Sequence, residues 1–357
     1  MLRFYHSWLL SMFTKKYTKL VVFFVLVLLL ILYMGPLLGY LPRALGITRD
    51  FVMDGKYVRQ DNGRTNVVIL GLGGAKNEPS GLTDTILFAS LDRNTNQAVM
   101  VSLPRDIWIP EMQAKINTAY HYGNEQDGLG IEWARRWVSQ ILGQPVHYMV
   151  VISFDGFVRL IDLLGGADVR IDKAFTDNQY PLTGREADTC GGDPKTLCRY
   201  ETISFNTGVQ HLDGTTALKY ARSRHAEGEE GSDFARARRQ QEIILAVKDK
   251  VLSTDFLLNP KRVSQVLQII EDSIETDIPE SHMGGFAKLA LNARDSGVKS
   301  VVLEDGFLVN PPLSPKYGNQ YVLIPRADTW QPAQSWVDCL LTKGDCQIED
   351  FTREIRD

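Results

Sequence analysis

The sequence lacks the short motifs that several common enzyme classes require. Its six histidines are scattered and form no paired-histidine zinc motif, and no G-x-S-x-G turn of a serine hydrolase is present. A glycine run follows a predicted strand at Gly71, but Lys76 stands where a dinucleotide-binding turn needs its third glycine, and no G-K-S/T phosphate loop follows. These absences argue against a zinc enzyme, a serine hydrolase and a nucleotide-binding fold.

Acidic side chains outnumber basic ones outside the N-terminal region. The 357 residues carry a net charge of −4, and the first 49 contain six basic and no acidic side chains, which leaves −10 for residues 50–357. An acidic surface repels nucleic acid, and the 19 residues before the long apolar run are too few for a DNA-binding domain. We therefore expect no nucleic-acid partner.

Only four cysteines occur, and they form two close pairs, Cys190 with Cys198 and Cys339 with Cys346. In an oxidising compartment such spacing suggests two small disulfide loops, and four reduced thiols are the alternative. Neither pair is accompanied by histidines at metal-site spacing.

One long apolar run is present. Residues 20–41 carry no charge and are long enough to cross a hydrocarbon core of roughly 30 Å as a helix. Basic residues precede the run and no acidic residue appears before Asp50, so the N-terminal tail is expected in the cytoplasm and the rest of the chain outside. A retained anchor fits better than a cleaved signal, because the run is long and lacks a clear small-x-small cleavage site.

The remaining pattern predicts an α/β fold. Short apolar segments at 66–70, 85–91 and 98–103 suit buried strands, and helical periods follow at 131–142, 154–164, 214–221, 234–252 and 260–274. Interleaved strands and helices indicate a three-layer α/β/α domain with a central mixed sheet, preceded by one transmembrane helix. Residues 177–202 read as a long loop because they are rich in glycine and proline and contain a cysteine pair.

Arginines concentrate between residues 220 and 240: Arg222, Arg224, Arg236, Arg238 and Arg239. If the segment 220–224 is extended, the side chains of Arg222 and Arg224 point to the same side of the strand. Arg236 and Gln240 extend the apolar stripe of the following helix, which places polar groups on a buried face and suggests a pocket for an anion such as phosphate. A surface salt-bridged to nearby glutamates and Asp233 is an equally good interpretation at this point.

Other polar residues follow predicted strands. Asp84 opens the second strand, Arg105 follows the third, and Lys115 and Asn117 come soon after. Because ligands in open α/β sheets collect at strand ends, these residues could form a site. A carboxylate such as Asp84 could hold Mg²⁺ by oxygen ligation.

Six ordered blocks resemble the LytR-CpsA-Psr family of cell-wall glycopolymer ligases. They are LTDT at 82–85, SLPRD at 102–106, KIN at 115–117, QHLDG at 210–214, ALKYARSR at 217–224 and DFARARRQQ at 233–241. The resemblance covers residues 65–250 and continues more weakly to about 305. It implies a membrane-anchored, extracytoplasmic domain that holds a polyprenyl pyrophosphate in a long apolar pocket and transfers its glycan to peptidoglycan.

The resemblance also implies roles for single residues. Asp84 would bind Mg²⁺, and Asp233 would either orient an arginine or accept a proton from the acceptor hydroxyl. Many family members carry an acidic residue where this chain has Gly73, so metal binding here is expected to be weaker or completed differently. The implied pyrophosphate ligands are Arg105, Lys115, Arg222, Arg224, Arg236 and Gln240, with Asp84, Arg105 and Asp233 as the catalytic set.

The expected organisation of the chain follows from these points. We expect a cytoplasmic tail at 1–19, a transmembrane helix at 20–41, a linker at 42–64, a catalytic domain at 65–305 and a C-terminal extension at 306–357, in a single-pass protein of the bacterial cell membrane. The extension is expected to be ordered but irregular and to stabilise the domain, and contact of its aromatic residues with glycan is the alternative. Hydrolysis of the same lipid pyrophosphate and a non-catalytic regulatory role remain open.

Overall fold

The computed structural model describes residue 46 and residues 48–53, 56–73, 81–182, 184–185, 187–293, 297–303 and 306–353. The membrane helix expected at 20–41 and the tail before it lie outside the described residues. Within the ranges given, no helix has both the length and the apolar character needed to cross a membrane.

The chain divides into two compact units. The smaller contains residues up to Tyr57 together with Pro279–Lys288, and in it Asp50 Oδ2 accepts the backbone N–H of Gly285 at 2.6 Å. The larger contains Val58–Ile278 and Leu289–Asp357. The larger unit contains the central sheet and the candidate site.

The secondary-structure elements are as follows. The strands are β1 (Arg64–Leu72), β2 (Thr83–Asp92), β3 (Ala98–Ser102), β4 (Trp108–Ile109), β5 (Ala114–Lys115), β6 (Tyr148–Ser153), β7 (Ala167–Ile171), β8 (Phe175–Pro181), β9 (Tyr200–Phe205), β10 (Gly208–Leu212), β11 (Ile274–Thr276), β12 (Val298–Val302), β13 (Leu308–Val309) and β14 (Ile324–Pro325). The helices are α1 (Ala119–Asp127), α2 (Gly130–Leu142), α3 (Phe154–Leu163), α4 (Gly214–Arg222), α5 (Asp233–Val251), α6 (Thr254–Leu257), α7 (Pro260–Ser273), α8 (Met283–Asn292), α9 (Gln331–Lys343) and α10 (Glu349–Thr352).

Six strands form the central sheet in the order β11-β6-β1-β2-β3-β12. β1 pairs in parallel with β6, and β3 pairs in parallel with β12, whereas β1 with β2, β2 with β3 and β6 with β11 are antiparallel. The predicted α/β class with a central mixed sheet is therefore confirmed. Every predicted strand and helix is present, with ends within two residues of the prediction.

Side-chain alternation gives the sheet two different faces. Val68 and Leu70 of β1 point into the main core, where Trp137 of α2 and Trp336 of α9 are also buried. Ile69, between them in sequence, points to the opposite face and lines a pocket. One face of the sheet is thus filled by core side chains, and the other provides the floor of the candidate site.

One local prediction was wrong, and the condition stated for the segment 220–224 is not met. The tract 177–202 is not a continuous loop, because β8 and β9 pair across it from Phe175–Phe205 to Pro181–Tyr200. The segment 220–224 is not extended, because helix α4 continues to Arg222. Asp213 caps this helix by accepting the backbone N–H of Thr216 at 2.7 Å, and alternation over only three positions was too short to outweigh that helical signal.

The C-terminal segment belongs to the larger unit. The expected irregular extension contains the 13-residue helix α9, whose Trp336 and Val337 are almost fully buried in the main core. Both cysteine pairs form disulfides, Cys190 with Cys198 and Cys339 with Cys346.

Candidate functional site

An apolar pocket of about 350 Å³ lies against the free face of the central sheet. Its floor comes from β1, β2 and β6, and its walls come from α3, α4 and α5. The apolar side chains that line it include Ile69, Val150, Ile152, Phe154, Phe157, Leu160, Leu218, Ile243, Ile244 and Val247. The stripe predicted on the helix at 234–252 therefore faces this pocket, as the positions of Ile244 and Val247 show.

A second pocket, of about 400 Å³, adjoins the first through a common wall. The wall is polar and consists of Asp84, Arg105, Arg224, Arg236 and Gln240, which line both pockets. Arg222 lines the apolar pocket, and Asp233 lines the second pocket. The structure thus brings together seven of the eight site residues that the family resemblance implies. Asn117, which was expected in the site from its position after a strand, is buried and lines neither pocket.

Lys115 is the eighth of these residues, and it lines neither pocket. Its Nζ lies 2.6 Å from Asp106 Oδ1, and the other oxygen of that carboxylate lies 3.5 Å from Arg105 Nε. Lys115 therefore acts on the pocket wall through Asp106. Asp106 is 6% exposed; its position beside Arg105 after the third strand is clear from the sequence, but its role as the link to Lys115 was not predicted.

Arg105 is held between two carboxylates. Its Nη1 donates to Asp84 Oδ1 at 2.5 Å, while Asp106 lies on its Nε side. Burial opposes the charge of Arg105, but the combined field of Asp84, Asp106 and Asp233 outweighs it and raises the pKa of the guanidinium. Arg105 is therefore a fixed cation in the pocket wall.

Arg236 is the most deeply buried guanidinium of the wall, at 7% exposure. It lies in the first turn of α5, where Ser232 caps the helix by accepting the backbone N–H of Ala235 at 3.1 Å. Its Nη1 is 2.9 Å from Asp233 Oδ1. Burial lowers the pKa of Arg236, and the neighbouring guanidiniums of Arg105 and Arg224 lower it further against the opposing effect of Asp233. An anion bound here would relieve that mutual repulsion.

Arg222 faces aromatic rings. Its guanidinium carbon lies 4.3 Å from the centre of the Phe154 ring and 5.8 Å from that of Tyr180, and its Nη1 donates to the Tyr180 hydroxyl at 3.4 Å. Stacking holds a planar guanidinium in one orientation while leaving its edge able to donate hydrogen bonds. These two contacts could not be predicted from the sequence, because Phe154 and Tyr180 lie 68 and 42 residues before Arg222 in the chain.

The arginine cluster of the sequence divides into two groups. Arg239 is 2% exposed, lies 2.9 Å from Glu230, and donates to the backbone oxygens of Tyr220 and Ser223. Arg238 is exposed and lies 3.4 Å from the same glutamate. The interpretation of a salt-bridged surface therefore holds for Arg238, whereas Arg239 is a buried structural residue, and Arg222, Arg224 and Arg236 line the pocket.

Asp84 is the carboxylate of the wall shared by the two pockets, and it could supply one oxygen ligand to Mg²⁺. Within the described residues, the one group of three or more histidine, cysteine or carboxylate side chains is Asp188 with Cys190 and Cys198, and both of those cysteines are in a disulfide. A Cβ added at Gly73 would overlap the Asp84 carboxylate, so Asp84 occupies the space that a second acidic side chain would need. Mg²⁺ commonly binds one or two carboxylates plus substrate phosphates, and Asp84 fits that mode.

Comparison with known proteins agrees with this geometry. The model of the LytR_cpsA_psr family matches residues 47–323. Curated proteins named polyisoprenyl-teichoic acid–peptidoglycan teichoic acid transferase TagU are similar to this chain. The one from Bacillus mycoides is 26% identical over 68% of this chain and 69% of its own length, and the one from Enterococcus faecalis is 27% identical over 65% and 66%.

Solved structures show the same fold. B. subtilis TagV aligns with a TM-score of 0.56 at 23% identity, covering 78% of this chain and 97% of that chain. The structure described as TagT bound to LIIa-WTA aligns with a TM-score of 0.52 at 19% identity, covering 84% and 95%. The match to the family model spans most of the sequence, and the chain belongs to the LytR-CpsA-Psr family.

Proposed function

We propose that this protein transfers a glycopolymer from a polyprenyl pyrophosphate carrier to peptidoglycan and forms a phosphodiester link. The observation that carries the proposal is the wall of arginines bordering an apolar pocket. A polyprenyl pyrophosphate has the matching two-part chemistry, an apolar chain joined to a dianionic head. The similar proteins named TagU are teichoic acid transferases that act between a polyisoprenyl carrier and peptidoglycan, which supports the same reaction class.

The residues divide between the two parts of this donor. The apolar pocket would take the chain, and Arg105, Arg222, Arg224, Arg236 and Gln240 would contact the pyrophosphate. Arginine suits this task because its planar fork donates two hydrogen bonds to phosphate oxygens. Lys115 would position Arg105 through Asp106 without contacting the donor.

The reaction proposed is a phosphoryl transfer. The hydroxyl oxygen of the acceptor attacks the phosphorus that bears the glycan, and the bond from that phosphorus to the bridging oxygen breaks. The bridging oxygen leaves with the bonding electrons as part of the prenyl monophosphate, and the hydroxyl proton passes to this released phosphate. Positioning and charge neutralisation contribute most of the catalysis in such reactions, so the fixed guanidiniums supply the main stabilisation.

Asp233 could orient an arginine or act as a base. Its ion pair with Arg236 at 2.9 Å favours the orienting role, because the guanidinium already engages the carboxylate oxygen Oδ1. Asp233 would therefore hold Arg236 against the donor pyrophosphate.

Mg²⁺ is proposed as the cofactor, bound by Asp84 and pyrophosphate oxygens. When bound, it would neutralise charge on the phosphate oxygens. Because substrate phosphates commonly complete a Mg²⁺ site that has one or two protein carboxylates, we expect Mg²⁺ to bind with the donor and weakly without it.

We also infer the placement of the protein in the cell. Residues 20–41 would anchor the chain in the bacterial cell membrane with residues 1–19 in the cytoplasm, residues 42–64 as a linker, and the catalytic domain at 65–305 and the extension at 306–357 outside. The apolar run and its basic flank support this orientation, and the two disulfides agree with an oxidising compartment.

The test is an in vitro reaction of the full chain with a polyprenyl-pyrophosphate-linked glycan, Mg²⁺ and peptidoglycan fragments. Wild type should form a glycan–peptidoglycan conjugate, and Arg105→Ala and Arg222→Ala should abolish it. Arg238→Ala is the matched control, since Arg238 belongs to the same arginine cluster of the sequence and lines neither pocket. Its conjugate yield should equal that of wild type.

The products separate the alternatives. Free phosphorylated glycan and prenyl monophosphate without conjugate would identify a hydrolase, since the same arginine wall can serve attack by water. Binding of the donor without any turnover would identify a carrier or regulatory protein.

A further inference from the structure

The second pocket has a chemical character different from the first. Besides the shared wall, it is lined by the polar residues Ser102, Ser232 and Asp233, by Tyr321, and by several apolar residues. Its volume of about 400 Å³ is in the range of small-molecule sites. A transferase must bind a polar group on the side of the phosphates opposite the lipid. The second pocket has this position, because it shares the arginine wall with the apolar pocket proposed for the lipid.

Tyr321 is one of the few large apolar residues with a highly exposed side chain, at 51% exposure. It belongs to the C-terminal segment and lines the pocket together with Asp233 and Arg236 of α5. An exposed aromatic ring beside polar groups is suited to a ligand with one apolar face and several hydroxyls.

The position of Tyr321 is fixed by its neighbours in the chain. Leu323 donates its backbone N–H to the oxygen of Asp106 at 2.9 Å, and its own oxygen accepts the N–H of Trp108 at 2.9 Å. Val322 is fully buried against Trp108 and Tyr317. The segment that carries Tyr321 is therefore paired with the residues that directly follow Arg105, which couples the ring to the arginine wall.

We propose that the second pocket is a sugar-binding subsite in which Tyr321 stacks on a pyranose ring and Asp233 accepts hydrogen bonds from its hydroxyls. This proposal rests on the proposed transferase function and specifies where its polar substrate binds. Stacking uses the apolar C–H face of the sugar, and the ordered ring loses little conformational entropy on binding. The sugar belongs either to the donor glycan next to the pyrophosphate or to the peptidoglycan acceptor, and the chemistry of recognition is the same.

The test compares Tyr321→Ala and Tyr321→Phe in the full chain. Calorimetry measures binding of three probes, a soluble peptidoglycan fragment, a glycosyl phosphate and a polyprenyl pyrophosphate without glycan. Tyr321→Ala should weaken binding of one sugar probe by about five- to tenfold, whereas Tyr321→Phe should bind it as wild type does because it keeps the ring. Polyprenyl pyrophosphate should bind all variants equally.

Each outcome decides the proposal. Weaker binding of the peptidoglycan fragment identifies an acceptor subsite, and weaker binding of the glycosyl phosphate identifies a donor-sugar subsite. Equal binding of both sugars by wild type and Tyr321→Ala overturns the proposal, as does a Tyr321→Phe variant that behaves like Tyr321→Ala.

Leu313→Ala serves as the control for disturbance of the segment, since Leu313 is 67% exposed and lines neither pocket. Its affinities should equal those of wild type. The binding measurements do not require turnover, so a failure of the transferase reaction is seen separately in the conjugate assay.

Discussion

Ser223 donates its hydroxyl hydrogen to Asp177 Oδ2 over 2.7 Å, and both residues are fully buried. The same carboxylate oxygen accepts the backbone N–H groups of Arg224 and His225, each at 3.2 Å, and Oδ1 accepts that of Gln179 at 2.9 Å. This carboxylate therefore joins β8 to the chain that leaves α4. Because Arg222 and Arg224 flank Ser223, Asp177 also fixes the direction from which both guanidiniums enter the pocket.

We predict that Asp177→Asn destabilises the protein. The amide is similar in size, but its NH₂ group is a donor and would face the donor groups whose hydrogen bonds the carboxylate accepts. A buried hydrogen-bond network would therefore be left unsatisfied. The free energy of unfolding should fall by about 2–4 kcal/mol, measured by chemical denaturation followed by tryptophan fluorescence. Asp172→Asn, at a carboxylate that is 80% exposed, should leave the stability unchanged. Equal stability of wild type and Asp177→Asn would show that the network contributes nothing.

The same carboxylate predicts a pH dependence of stability. Burial alone raises the pKa of Asp177, but its hydrogen bonds from Ser223, Gln179, His225 and Arg224 outweigh that effect and hold the pKa below its usual range. The unfolded chain has the ordinary pKa of about 3.9, so the stabilisation is fully present above that pH and is lost as the pH falls through the lower folded pKa. Thermal unfolding from pH 7 downward should therefore show wild type and Asp177→Asn converging only below about pH 4. A stability difference that does not change with pH contradicts the assignment.

Local patterns predicted the elements of the sheet well because the signals lie within a few residues. β1, β2 and β3 are short apolar runs, and α5 has a capping Ser232 followed by a regular apolar stripe. The arginines of the pocket wall were predicted as site residues because arginines are dense in this part of the sequence and because they match a family motif. Arg236 and Gln240 could be placed on the pocket side because they continue the apolar stripe of one helix.

Long-range contacts could not be predicted in the same way. Asp177 is one of five acidic residues in the tract 177–202, and nothing local distinguishes it; only the fold brings it within hydrogen-bond distance of Ser223. The burial of Trp336 depends on α9 packing against the central sheet, far from it in sequence. Tyr321 likewise reaches the second pocket only because Leu323 pairs with Asp106.

The stacked position of Arg222 predicts that lysine cannot replace it. Lysine keeps the positive charge but loses the planar fork and the contact with the Phe154 ring, which lies 4.3 Å from the guanidinium carbon. Arg222→Lys should weaken binding of polyprenyl pyrophosphate by about tenfold, measured by calorimetry. Arg238→Lys is the control and should bind as wild type does. If Arg222→Lys also retains full affinity, charge alone is sufficient at this position.

The relation between Gly73 and Asp84 predicts how the reaction responds to Mg²⁺. Asp84 is the carboxylate proposed to share Mg²⁺ with the donor, and a Cβ at position 73 would overlap it. Both Asp84→Asn and Gly73→Ala should therefore raise the Mg²⁺ concentration for half-maximal conjugate formation by about tenfold or more, the first by removing the ligand and the second by displacing it. Asp249→Asn, at an exposed carboxylate near the other end of α5, is the control and should leave the Mg²⁺ titration unchanged. If both variants reach half-maximal conjugate formation at the same Mg²⁺ concentration as wild type, the metal binds elsewhere. If wild type forms conjugate in the presence of a chelator, the arginine wall neutralises the pyrophosphate without Mg²⁺.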